Sequence, residues 1–124
     1  MIKPIIIHFN HSGWREKRCK ELIKKLLSQL KKNDDHSYEN QLDIIVCNNR
    51  NAKLMTEVSL DKVGCKYNKL GRGIKWTVNA LKIKLCYDFL KTCKKEYVMH
   101  LDSNDVILLD TPSTVLDRFK KFDC

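Results

Sequence analysis

Residues 97–113 read YVMHLDSNDVILLDTPS. An apolar run from Tyr97 to Leu101 gives way to four polar residues, Asp102-Ser103-Asn104-Asp105, and a second apolar run covers Val106 to Leu109. Short apolar runs bounded by turn-forming residues are the signature of buried strands. Thr111-Pro112 then opens a helix, with threonine as N-cap and proline in the first turn. Val115, Leu116 and Phe119 carry the apolar spacing of that helix. The stretch predicts a strand, an acidic turn, a short extended run and a helix.

Upstream, Thr77 to about Cys93 reads as a helix whose apolar residues (Val78, Leu81, Leu85, Tyr87, Phe89 and Leu90) occupy much of its circumference. A short strand fits between Val63 and Leu70, before the glycines at 71 and 73. The segment 52–61 shows no clear period. Leu42 to Cys47 reads as a strand ending in Asn48-Asn49-Arg50-Asn51, and Asn33 to Ser37 as a polar loop. From Trp14 to about Lys32, Cys19, Leu22, Ile23, Leu26, Leu27 and Leu30 form one helical stripe with lysines opposite, and Ser12-Gly13 can cap that helix. Pro4 to Asn10, with Ile5-Ile6-Ile7 at its centre, reads as a strand buried on both faces. The order β-α-β-(β)-α-β-α predicts an α/β fold with a mainly parallel sheet flanked by helices. In such sheets ligands bind at the carboxyl ends of the strands. Those ends carry Asn10-His11, Asn48-Asn49 and Asp102 to Asp105, all of them polar.

The length, 124 residues, is that of one domain, and residues 1–124 are read as a single unit. The apolar runs are too short to span a bilayer, and the N-terminus has no signal-peptide pattern. Lys and Arg total 24 against 15 Asp and Glu, an excess of +9 that favours anionic partners: nucleic acid, phosphorylated small molecules or an acidic membrane face. Lys17, Arg18, Lys20, Lys24, Lys25, Lys31 and Lys32 are read as a solvated helix face. The six cysteines form no CxxC pair, and no His lies at finger-like spacing, so a structural zinc site is not expected. Reduced thiols buried as small hydrophobes, in an intracellular, cytoplasmic setting, are expected instead.

The acidic turn is the sharpest chemical signal. Asp102 and Asp105 arrive at the end of a buried strand, where a turn can bring them towards one centre. A hard divalent cation relieves the repulsion between two such carboxylates by taking oxygen ligands from both, and carboxylate oxygen favours magnesium, calcium or manganese. The competing reading is an Asx-turn that satisfies only local backbone groups.

Residues 97–107, YVMHLDSNDVI, resemble the acidic-motif segment of sugar-nucleotide-dependent glycosyltransferases. Leu70 to Trp76, LGRGIKW, matches the LGxGxxW pattern of the branch that holds the glycosyltransferase domains of lysyl hydroxylases and the procollagen galactosyltransferase-like proteins. KIKLCYDFLK, from Lys82 to Lys91, is similar to the helix that begins with that family's lysine, and Phe119-Lys120-Lys121-Phe122 to the helix after its acidic motif. The resemblance covers about residues 63 to 122. It implies a GT-A-type, Rossmann-like fold, a UDP-sugar donor, and manganese (or magnesium) held by Asp102 and Asp105 in an Asp-x-x-Asp motif. It also implies donor contacts from Gly71, Gly73, Trp76, Lys82 and Asn104.

Two departures from the family pattern stand out. An aromatic residue is common where Asn104 stands, so base stacking there is not expected; Asn104 offers an oxygen to the ion or closes the turn. Lys82 follows Trp76 sooner than in the family. It is either a cation near the phosphates or an exposed helix-start lysine. Trp76 is either a core aromatic covering the following helix or a flat face beside the nucleotide, and the two glycines either make a turn or let backbone approach the donor. Asn10 and Asn48 are each a nucleoside contact or a turn residue, and His11 has no fixed role. His8 and His100 are read as sheet histidines rather than ligands.

The expected function is transfer of a hexose from a UDP-sugar to an acceptor hydroxyl on a glycan or protein, with no catalytic base identified. The family's acceptor half is expected beyond Cys124, which makes the chain a donor-binding half, a decayed relative or a short form that needs a partner. Nucleic acid is the less favoured partner. The alternatives are a small basic nucleic-acid-binding module built on the lysine-rich first helix, and a non-catalytic GT-A-like interaction domain.

Overall fold

The computed structural model of the chain describes residues 6–8 and 17–122. Asn10, His11, Ser12, Gly13 and Trp14 lie outside them. The elements run β1 (Ile6–His8), α1 (Lys17–Gln29), a 3-10 turn (Ser37–Asn40), β2 (Leu42–Cys47), α2 (Met55–Val63), β3 (Asn68–Leu70), α3 (Ala80–Thr92), β4 (Tyr97–Leu101), β5 (Val106–Leu108) and α4 (Pro112–Lys120).

The fold is α/β. β2 lies at the centre of a parallel three-stranded sheet of order β3-β2-β4, with Ile45 opposite Asn68 on one side and His100 on the other. Leu42, Ile44, Ile45 and Val46 are all buried, each worth roughly 1.5–3 kcal/mol of transfer free energy. Successive side chains of a strand point to opposite faces. Leu42, Ile44 and Val46 join the core with Leu60 and Val63 of α2, Leu101, Val106, Leu108 and Leu116. Asp43 and Cys47 point the other way, towards α3, where the Cys93 thiol lies 3.3 Å from an Asp43 carboxylate oxygen.

One expectation needs correction. β1 does not extend the parallel sheet: it pairs antiparallel with β5, Ile7 opposite Ile107, in a separate two-stranded sheet. A continuous isoleucine run specifies burial but neither the partner nor the direction of pairing. β5 is itself wholly buried and packs on α2.

The segment without a readable period, 52–61, contains most of α2. Its side chains Thr56, Glu57 and Ser59 are buried although polar, which interrupts the apolar spacing that would announce a helix. The helix start at Thr111-Pro112 is as expected, with the Ser113 amide donating to the Thr111 hydroxyl at 3.3 Å. α1 exposes Lys20, Lys24 and Lys25 and leaves Ile23, Leu26 and Leu27 half-buried, but Leu22, expected in the same apolar stripe, is exposed. Among the described residues, no helix is long and apolar enough to cross a membrane.

Candidate functional site

The chain leaves β2 for α2 and β3 on one side and returns through α3 to β4 on the other side of β2. The strand order therefore switches between β2 and β4, and their carboxyl ends diverge into a crevice of the kind where α/β sheets bind ligands. A cleft of about 510 Å³ opens there. It brings together Asn48, Asn49 and Arg50 after β2, Trp76, Asn79 and Lys82 at the entry to α3, and Asp102 to Asp105 after β4. Residues from three separate parts of the sequence thus meet at one strand end.

The acidic turn is held from behind by α2. The Thr56 amide donates to the Ser103 carbonyl at 3.1 Å. The buried Thr56 hydroxyl donates to the Val106 carbonyl at 2.8 Å and shares its proton with the Asp102 carbonyl. One helix turn on, the Ser59 hydroxyl accepts from the Leu108 amide. These bonds hold the backbone of the turn and of β5 against α2.

Of the expected site residues, Asp102, Asp105, Asn104, Trp76 and Lys82 all line the cleft. Lys82 is not a free helix-start lysine: its ammonium lies 3.0 Å from an Asp102 carboxylate oxygen, with the two side chains 34% and 40% exposed. Trp76 is half-buried, stands outside the hydrophobic core, and its indole N–H reaches the Asn79 side-chain oxygen at 3.5 Å.

Gly71 and Gly73 do not line the cleft; they make the turn that delivers Trp76. Their φ angles are 83° and 77°, in the left-handed region, which a side chain disfavours. At Gly71 a Cβ would also meet Leu85 at 2.9 Å. The turn is tied to the end of β2 by the Gly73 amide donating to the Asn49 carbonyl at 3.0 Å and the Asn49 side chain donating to the Ile74 carbonyl at 2.9 Å.

Asn48 is a turn residue. Its amide nitrogen donates to the Ala52 carbonyl and to Glu57, and its oxygen accepts from the Arg50 amide. All of its main donor and acceptor capacity is spent inside the protein. Glu57 is completely buried and also accepts from the Tyr67 hydroxyl at 3.1 Å, with the Lys69 ammonium at 3.6 Å. Burial, followed by the nearby Glu57 charge, pushes the Tyr67 phenol up. This buried network fixes the loop after β2 and was not legible from spacing, because Glu57 sits on the unrecognised helix α2.

On the α3 side of the sheet, Cys47 forms part of the cleft wall. Burial, then the neighbouring Cys86, pushes its thiol from 9.0 up to about 11. Cys47, Cys65, Cys86 and Cys93 are free thiols. His100 is exposed, and its ring lies with the Cys47 and Cys86 sulfurs, all ligand atoms within 4.8 Å of one another. His100 is thus a sheet histidine on β4 whose ring stands beside two thiols. Finger-like spacing could not have found the cluster, since its members come from β2, α3 and β4.

Asp102, Asn104 and Asp105 bring carboxylate and amide oxygens to the cleft, the kind of atom that hard divalent cations take as ligands. The Lys82 ammonium sits against one Asp102 carboxylate oxygen. No protein-family model matches the chain, and no curated protein or solved structure matches it.

Proposed function

We propose that the cleft binds a nucleotide sugar with a divalent cation, and that the chain is the donor-binding part of a GT-A-type glycosyltransferase that moves a hexose from UDP to an acceptor hydroxyl. The observation that carries this reading is the meeting of Asp102, Asp105, Lys82 and Trp76 at the switch point of a parallel sheet. The motif resemblance of residues 70–76 and 97–107 supports the choice of a sugar nucleotide over other phosphorylated ligands.

Asp102 and Asp105 would hold manganese or magnesium, and Asn104 lies beside them on the same wall. The cation supplies charge neutralisation of the diphosphate and of its departure as a leaving group. Lys82 presents its ammonium to the same place. The indole of Trp76 offers a flat face to uracil or ribose. Arg50, an exposed residue of the cleft lining after β2, adds positive charge for an anion.

Without a cation, each contact of a diphosphate with a carboxylate at roughly 4 Å opposes binding by about 1 kcal/mol in bulk water, the figure that governs the 40%-exposed Asp102, and two carboxylates stand at the cleft. UDP binding therefore depends on the metal. Titration calorimetry of UDP with manganese and with EDTA, on the wild type and on Asp102→Asn, tests this. Strong binding is expected only for the wild type with manganese. Equal affinity in all four experiments means that the acidic turn is only a turn.

A further inference from the structure

We propose that Cys47, Cys86 and His100 form a second metal site, selective for zinc, with three protein ligands and a fourth position left to water. The Sγ atoms of both cysteines and a ring nitrogen of His100 lie within 4.8 Å of one another. A tetrahedral zinc ion, with Zn–S near about 2.3 Å and Zn–N near about 2.0 Å, holds its ligand atoms roughly 3.5–3.8 Å apart. Small side-chain adjustments close the difference. The backbone already fixes the three elements: Ile45 pairs with His100 across the sheet, and Cys47 follows on the same face of β2. Cys86 comes one helical turn after Lys82 on α3, just as His100 comes two residues before Asp102 on β4. The cluster is thus the next rung below the Lys82–Asp102 pair.

Donor chemistry makes the choice of metal. Two thiolates and an imidazole are soft to intermediate ligands, which favour zinc over manganese, magnesium or calcium. Two thiolates also cancel the charge of a divalent ion, so the centre is neutral. This matters where Cys47 is buried, because an uncompensated charge there is costly. Cys86 is half-buried and His100 exposed, which gives the ion a way in. The site shares no ligand with Asp102 and Asp105, so it stands or falls separately from the nucleotide reading. The competing accounts are three unrelated side chains packed together and a Cys47–Cys86 disulfide.

Cobalt as a spectroscopic stand-in for zinc decides among them, using the whole chain under a phosphine reductant. A thiolate-to-cobalt charge-transfer band is expected, with tetrahedral d–d absorption, saturating at one cobalt per chain and bleached by zinc. Cys47→Ser and Cys86→Ser should each lower the band, and His100→Ala should weaken binding by roughly tenfold or more. Cys65→Ser should leave the band unchanged. The wild type supplies a second readout that does not depend on a variant's folding: zinc should slow alkylation of Cys86 and not of Cys93. No thiolate band, a band undiminished in folded Cys86→Ser, or equal alkylation of Cys86 with and without zinc overturns the site. So does a reduced chain that takes up no metal while the oxidised one carries a Cys47–Cys86 disulfide.

Discussion

Replacing Lys82 by methionine should move two affinities in opposite directions. The ammonium sits 3.0 Å from an Asp102 carboxylate oxygen. At that distance the attraction is about 5.5 kcal/mol at an effective dielectric of about 20 and about 1.4 kcal/mol in bulk water. Both side chains are more than a third exposed, so the lower figure governs, in line with the roughly 0.2–1 kcal/mol of exposed ion pairs. A divalent cation that settles on Asp102 meets this ammonium as a like charge. At roughly 4 Å in water, a double charge against a single one costs about 2 kcal/mol. Methionine keeps the length of the side chain and removes that cost. Manganese alone should therefore bind Lys82→Met about 5- to 30-fold more tightly, which is about 1–2 kcal/mol. With UDP present the ammonium faces the diphosphate instead, and its loss should weaken UDP binding at saturating manganese by a similar factor. Free manganese measured by electron paramagnetic resonance gives the first affinity, and calorimetry with UDP the second. A Lys82→Met chain that binds manganese no better than wild type refutes the placement of the cation beside Asp102. One that binds manganese better but UDP equally well refutes the role of Lys82 towards the phosphates.

Four further outcomes come from contacts around the cleft and in the core. Thr56→Val removes the hydroxyl that serves the buried Val106 carbonyl and the Asp102 carbonyl; urea denaturation should show a loss of about 1–3 kcal/mol, and manganese-dependent UDP affinity should fall although Thr56 does not line the cleft. Glu57→Ala leaves the Lys69 ammonium buried beside no carboxylate, the two side chains being 1% and 9% exposed, and should cost about 3–5 kcal/mol. Lys53→Ala, which breaks the exposed pair with Asp61, should cost less than about 1 kcal/mol by the same assay. The Cys65 thiol is raised by burial from 9.0 to about 11. Both states hold the proton below pH 9; between about pH 9 and 11 the unfolded thiol releases it first, so stability falls as pH rises through that window. In Cys65→Ala this part of the alkaline loss should disappear from the pH dependence of the denaturation midpoint.

What could be read from the sequence is what local chemistry determines. β4, the acidic turn, β5 and α4 announce themselves because a buried run, a polar turn and a Thr-Pro helix start each leave their mark within a few residues. The glycines at 71 and 73 announce a turn because glycine alone takes such positive φ angles without strain. What could not be read is what tertiary contacts decide. α2 is hidden because Thr56, Glu57 and Ser59 are polar and yet buried, held there by the acidic turn, Asn48 and β5. The direction of β1 depends on a partner a hundred residues away. Lys82 reads as an exposed lysine until β4 brings Asp102 to it. Cys47, Cys86 and His100 obey no spacing rule, since a strand, a helix and a second strand each supply one of them.

The proposed cation site beside Asp102 and Asp105 is tested most directly by paramagnetic broadening of amide resonances. Substoichiometric manganese is added to the labelled chain together with UDP. Signals of residues 102–105 and 48–50 and the indole N–H of Trp76 should broaden first, those of α1 should stay sharp, and Asp102→Asn should abolish the selectivity. Broadening centred elsewhere, such as on Asp34 and Asp35, or unchanged in Asp102→Asn, would contradict the assignment of the cleft as a metal–nucleotide site.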